Sequence, residues 1–210
     1  EMTGIDMGIA KNMTLSTDCC GNKGVFEGVH SFRAYQDKLA IEQRKLSRKV
    51  LGSENWKKQK LRVSKLHQRI ANIRNDYQHK ATTTISKNHA MVICEALKVA
   101  NMSKSAKGDS ENHGKNVAAK SGLNKSILDQ GWHELRRQLE YKMRWKGGVY
   151  GEVNPRNTSR ECACCGHIEK YNRKTQAEFI CQSCGHSENA DKNAAKVMLN
   201  RYLHELEQAA

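Results

Sequence analysis

Two short runs repeat one pattern, Cys162-Ala163-Cys164-Cys165-Gly166-His167 and Cys181-Gln182-Ser183-Cys184-Gly185-His186, with 15 residues between Cys165 and Cys181. Two residues between paired cysteines let a tight turn aim both thiolates at one ion. The glycine that follows relieves strain where that turn needs unusual dihedrals. Cys162, Cys165, Cys181 and Cys184 therefore read as a tetrahedral zinc site of the ribbon type, closed by four thiolates, in which the ion holds structure and does no chemistry. A redox pair, buried free thiols, or a ligand exchange with Cys164, His167 or His186 are the competing readings. Cys19, Cys20 and Cys94 read as ordinary thiols.

Three carboxylates are the other residues placed where chemistry could occur. Asp6 lies between Ile5 and Met7 in a strand-like segment, sharing a face with Gly4 and Gly8, and these small neighbours leave room for a ligand. A carboxylate in mid-strand is costly unless it is solvated, paired or bound to a cation. Glu95 directly follows Met91-Val92-Ile93-Cys94, at the carboxyl end of what reads as a buried central strand, where ligand sites open in sheet-and-helix folds. Asp191 opens the last helical segment, and a helix N-cap is its simplest reading.

The elements that must position these groups follow from hydrophobic periodicity. Residues 3–17 suggest two short antiparallel strands about the turn Ala10-Lys11-Asn12, and residues 24–32 a third. Residues 36–87 read as a helical hairpin broken at Gly52-Ser53, with Leu39, Leu46, Leu66, Ile70, Ile73 and Tyr77 on its apolar side. Residues 103–122 read as a loop, residues 123–145 as one helix stopped by Gly147-Gly148, and Val149 to Val153 as a strand. Pro155, the only proline, marks the exit toward the cysteines. Ala194, Val197, Met198, Tyr202 and Leu206 line the apolar side of a final helix over residues 190–207.

Thirty-six Lys and Arg against 22 Asp and Glu give a net charge of +14, spread along most of the chain, which points to a polyanionic partner. The hairpin carries Arg44, Lys45, Arg48, Lys49, Lys57, Lys58, Arg62, Lys65 and Arg69, either as a solvated surface or as a phosphate-facing one. With no stretch approaching 18 apolar residues and no signal peptide, a membrane role is disfavoured and a cytoplasmic protein is expected. The chain opens on Glu1 and reaches a strand within three residues, as a piece of a longer protein would.

The order of these pieces resembles the TnpB or OrfB family of insertion-sequence nucleases. The resemblance runs from Gly4-Ile5-Asp6-Met7-Gly8-Ile9, through the basic hairpin, to Ile93-Cys94-Glu95-Ala96-Leu97-Lys98-Val99 with Asn101-Met102. It continues with Asn154-Pro155 and Thr158-Ser159 before the ribbon, and ends on Asn189-Ala190-Asp191-Lys192-Asn193-Ala194-Ala195. The family is related to the type V CRISPR nucleases. The resemblance implies an α/β, RNase H-like (RuvC) fold with an inserted helical hairpin and a small zinc ribbon. It divides the chain into nuclease segments 1–35, 88–157 and 190–210, a hairpin over 36–87 and a ribbon over 158–189. It also implies that Asp6, Glu95 and Asp191 are the catalytic carboxylates.

Such a trio of hard oxygen ligands can hold two Mg2+ or Mn2+ ions for hydrolysis of a DNA phosphodiester. The expected partners are a DNA target, a guide RNA and the family's N-terminal part, which this chain lacks. Ala96 departs from the family, which usually carries Asp or Asn beside the glutamate. The rival readings are a non-catalytic zinc-ribbon binding module, a junction resolvase, and a transposase that joins DNA strands.

Overall fold

The computed structural model describes residues 1–18 and 22–209, so Cys19 and Cys20 lie outside the described residues. The apolar runs form a five-stranded sheet of β1 (Met2–Asp6), β2 (Met13–Leu15), β3 (Val25–Phe26), β4 (Met91–Glu95) and β5 (Val149–Val153), in the order β3-β2-β1-β4-β5. β2 is antiparallel to β1 and to β3, because short turns can join only antiparallel neighbours. β1, β4 and β5 run parallel, which requires long crossovers, and helices make them.

The first crossover is the hairpin of α1 (Ser31–Ser47) and α2 (Glu54–Asn88). It turns at Gly52, which takes a left-handed φ of 82°, and Ser53 caps α2 by accepting the Trp56 N–H at 3.2 Å. The outer hairpin packs through Leu39, Val63 and Ile70, while Ala81 and Ile85 of α2 enter the main core. The second crossover holds α3 (Val99–Met102), α4 (Val117–Gln130) and α5 (Trp132–Trp145). Lys142 of α5 is buried against α2, donating to the His79 carbonyl at 2.8 Å and to the Thr82 and Thr83 hydroxyls at 2.7 and 2.8 Å.

Strand alternation sorts the core into two layers. Ile5, Val92 and Cys94 face α2 and α5, where Ile85, Leu135, Leu139 and Met143 close over them. Ile93 and Val153 face the other way, against Ala194 and Met198 of α6 (Ala190–Ala209). Gly4 shows how tightly α6 lies on the sheet: a Cβ there would fall 1.9 Å from the Ala195 carbonyl oxygen. The small residue beside Asp6 therefore makes room for a helix, and not for a ligand as its place on the strand suggests.

The element boundaries differ from the sequence reading in two regions. The third strand covers only Val25–Phe26, and α1 begins at Ser31, inside the segment read as sheet. Its start is capped from a distance: Asp129 of α4 accepts the Ser31 hydroxyl at 3.0 Å, the Phe32 N–H at 2.9 Å and the Arg33 N–H at 3.4 Å. The stretch read as one helix over 123–145 is two, and α4 starts within the expected loop. They meet at Gly131, whose φ of 67° breaks the helix and whose carbonyl accepts Gln78 Nε2 at 2.9 Å. No local signal announces caps and braces that arrive from other helices.

Beyond β5 the chain forms a separate small unit, with a 3-10 turn Lys170–Asn172 and the antiparallel pair β6 (Glu178–Ile180) and β7 (Ser187–Asn189). Cys162, Phe179, Cys181 and Ala190 make its core, and β7 runs straight into α6. No described helix is long and apolar enough to cross a membrane.

Candidate metal centres

The pairing of Ile5 with Cys94 puts Asp6 and Glu95 at the next positions along adjacent parallel strands, and neighbouring strands lie about 4.8 Å apart. Alternation turns both toward α6, opposite Ile5 and Cys94. Asp191 sits in the first turn of that helix, where the helix dipole favours an anion. It is not the N-cap. Asn189 fills that role, its Oδ1 accepting the Asp191 N–H at 3.1 Å and the Lys192 N–H at 3.2 Å, so the Asp191 carboxylate is left to other partners.

Those partners come from the cysteine module. Arg173 donates to Asp191 Oδ1 at 3.2 Å and to the Gln176 carbonyl at 2.8 Å. Thr158, in the turn after β5, donates its hydroxyl to Glu95 Oε1 at 2.7 Å. From α5, Arg136 reaches the carbonyls of Glu95 and Leu97 at 3.4 and 3.1 Å, fixing the backbone just beyond the glutamate.

Asp6 feels the other two acids. Burial, then the charges of Glu95 and Asp191, push the Asp6 carboxyl up to about 8, with Arg173 pulling it down. Burial also raises Glu95, against the Thr158 hydrogen bond and the Arg201 charge. A divalent cation would relieve this concentration of buried like charge, and carboxylate oxygens are the donors that hard cations take, so the residues fit such an ion.

The four predicted cysteines do come together. Among the described residues they are the one group of three or more His, Cys, Asp or Glu whose ligand atoms lie within 4.8 Å of one another; the three carboxylates are not drawn so tight. The Sγ atoms of Cys162 and Cys184 are 3.7 Å apart and those of Cys165 and Cys181 3.6 Å, close to the edge of about 3.8 Å that a tetrahedron of Zn–S bonds near 2.3 Å demands. The set could hold a zinc ion. Both knuckles close alike: Gly166 and Gly185 take φ of 73° and 71°, and donate to the carbonyls of Cys162 and Cys181 at 2.9 and 3.1 Å. Against burial, which alone would raise it, the N–H groups of Cys184 and Ser183 hold the Cys181 thiol below its ordinary value.

Cys164, His167 and His186 stand outside this group. The two histidines instead offer their carbonyls to the Cys162 and Cys181 N–H groups. Cys94 is fully buried, its thiol pushed up to about 12 by that burial, as suits an inert core residue.

On the hairpin, all nine predicted basic residues lie at the surface, with Lys49 half-buried. Lys45 pairs with Glu42 and Lys57 with Glu54, both at 2.7 Å, while Arg69 lies over the Tyr35 ring. Arg44, Arg48, Lys49, Lys58, Arg62 and Lys65 have no carboxylate within ion-pair reach among the described residues. Sequence reasoning passed over Arg173 and Arg136 and named Thr158 only within a motif; their roles depend on contacts 18 to 63 residues away.

A mixed sheet with acids at its strand ends and a four-cysteine module fused to its last helix defines a class of fold. The Cas12f1 chain of a cryo-EM Cas12f1-sgRNA-target DNA complex shares that fold, with a TM-score of 0.61 over 96% of this chain and 50% of that one at 20% identity. A family model described as probable transposase, OrfB_IS605, matches residues 1–106, and one described as a Cas12f1-like TNB domain matches residues 132–198.

The chain belongs to the OrfB_IS605 family of probable transposases. It is 57% identical, over 95% of its length and 48% of that protein's, to the "Putative RNA-guided DNA endonuclease InsQ" of Escherichia coli K12. It is 34% identical, over 93% of its length and 44% of that protein's, to a "Putative RNA-guided DNA endonuclease" of Streptomyces pristinaespiralis. The chain thus spans about half the length of the curated relatives it matches.

Proposed function

We propose that this chain is the nuclease part of an RNA-guided DNA endonuclease, in which an RNase H-like (RuvC) sheet carries Asp6, Glu95 and Asp191 as ligands for Mg2+ or Mn2+. The observation that carries the reading is the placement of three acids from residues 6, 95 and 191 on one face, close enough that two of them raise the pKa of the third. The sheet order, with β2 antiparallel and the first acid on central β1, supports the RNase H-like assignment. The names carried by the relatives support the substrate class.

When bound, the metal supplies activation of the attacking water and neutralisation of the leaving oxygen. The chain's own residues bind and orient. Asp6 and Glu95 present carboxylates from neighbouring strands, and Asp191 faces them from the helix end. Arg173 brings a fixed positive charge to a site that must meet a phosphate. The hairpin cations without carboxylate partners would track a nucleic-acid backbone, and a zinc ion held by Cys162, Cys165, Cys181 and Cys184 would keep the module bearing Arg173 in place. DNA, a guide RNA and the rest of the protein are the partners in this reading, since sequence would be read by base pairing to the guide.

The test supplies the full-length protein with guide RNA, Mg2+ and matched or mismatched DNA. Cutting of matched DNA alone, lost in Asp6→Ala, Glu95→Ala and Asp191→Ala while binding persists, is the expected result. Joined strands in place of simple breaks would favour a DNA-joining transposase. The 210-residue chain alone is expected to bind DNA and RNA in a salt-sensitive way without sequence preference. Guide-dependent cutting by it would overturn the assignment of guidance to the remaining half.

A further inference from the structure

Glu95 ends β4 with a flexible side chain, so something must decide where its carboxylate points. The chain leaves β5 beside it, because Glu95 and Val153 are paired across the parallel strands. Pro155 follows, Asn157 takes a left-handed φ of 64°, and the turn folds Thr158 back over the end of β4 until it is only 3% exposed. Its Oγ1 then lies 2.7 Å from Glu95 Oε1 and 3.1 Å from the Pro155 carbonyl. A hydroxyl has one proton, and the shorter, charge-assisted contact takes it.

The turn itself is braced. Arg201 of α6 donates to the Asn154 carbonyl at 3.0 Å and pairs with Glu161, beside the first knuckle. The Asn157 carbonyl accepts the N–H groups of Arg160 at 2.8 Å and Glu161 at 3.0 Å. Thr158 is thus a fixed donor on a fixed loop. It holds one carboxyl oxygen of Glu95, and no described residue donates to the other, Oε2.

We propose that Thr158 is a positioning residue for the metal site: its hydroxyl locks the Glu95 carboxylate so that Oε2 is presented to a divalent cation, and the turn into the cysteine module thereby sets the geometry of the site. This rests on the reading of Asp6, Glu95 and Asp191 as metal ligands. Without the hydroxyl, Glu95 must be ordered at the moment the ion binds, and hydrogen-bond partners of ligating groups are commonly worth about 10- to 100-fold in metal affinity.

Mn2+ serves as the probe, titrated into the zinc-loaded 210-residue chain and followed by the EPR signal of the free ion. Thr158→Ala and Thr158→Val should weaken Mn2+ binding by about tenfold or more, while Thr158→Ser, which keeps the hydroxyl, should stay within about threefold of wild type. Zinc content and the urea midpoint are measured on every variant. Thr158→Ser and Thr158→Ala both lose the methyl group and differ by one hydroxyl, so this pair decides the matter even if Thr158→Val fails to fold.

Equal Mn2+ affinity in the Ser and Ala variants, with binding lost in Glu95→Gln, overturns the proposal and leaves the carboxylate reading standing. A fall in urea midpoint in Thr158→Ala with Mn2+ affinity unchanged overturns it too, because such a fall marks a merely structural turn. If wild type binds no Mn2+, or Glu95→Gln binds it as well as wild type does, the carboxylate reading fails and the proposal falls with it.

Discussion

Replacing Asp6 with asparagine should make the magnesium-free chain more stable and, on the proposed reading of Asp6 as a metal ligand, end cleavage by the full-length protein. Asp6 is pushed up to about 8 in the folded chain, first by burial and then by the charges of Glu95 and Asp191. In the unfolded chain it titrates near about 3.9. Below about pH 4 both states hold the proton and the site carries no penalty. As the pH rises toward 8, the unfolded state releases its proton and the folded state keeps it. Stability then falls by about 1.4 kcal/mol per pH unit and levels off above the folded value. At pH 7 the accumulated cost is about 4 kcal/mol.

Asparagine cannot ionise, so the advantage of Asp6→Asn should grow from about 1–2 kcal/mol at pH 5 to about 4 kcal/mol at pH 7. Urea denaturation of both proteins across that range, with zinc retained and magnesium omitted, measures it. Added Mg2+ should then stabilise wild type by mass action and leave the variant where it was. A variant less stable than wild type at pH 7, or an advantage that does not change with pH, would refute the claim that Asp6 is held among buried like charges.

Gly4→Ala should destabilise the chain by about 1–3 kcal/mol in urea, because its methyl group would meet the Ala195 carbonyl and push α6, with Asp191, off the sheet; Mn2+ affinity should fall in parallel. Asp129→Ala should cost about 2–3 kcal/mol and expose the amides of Phe32 and Arg33 to hydrogen exchange, since it strips α1 of its remote cap. Normal protection of those amides in the variant would mean that α1 is held by packing alone. Cys181→Ser should lower bound zinc from about one ion per chain and loosen β6 and β7; a variant that keeps one tightly held zinc would remove Cys181 from the ligand set.

The cysteine site was legible in the sequence because its geometry is local: each Cys-x-x-Cys turn aims its own two thiolates, and the glycine after it is the residue that the left-handed dihedral requires. The basic hairpin was legible through its period, and the face of β1 that carries Asp6 through alternation with Ile5 and Met7. The sequence could not determine that Gly4 serves α6 and not a ligand, that Asn189 and not Asp191 caps that helix, or that Asp129 starts α1 from nearly a hundred residues away. Nor could it pair Thr158 with Glu95, except as members of one ordered set of motifs, and Arg173, which stands in none of those motifs, could not be paired with Asp191 at all. A turn or a helical face leaves a periodic trace because neighbouring residues share one backbone geometry. A contact between distant residues depends on the register of β1 against β4 and the seat of α6 on the sheet, which packing of the whole chain decides.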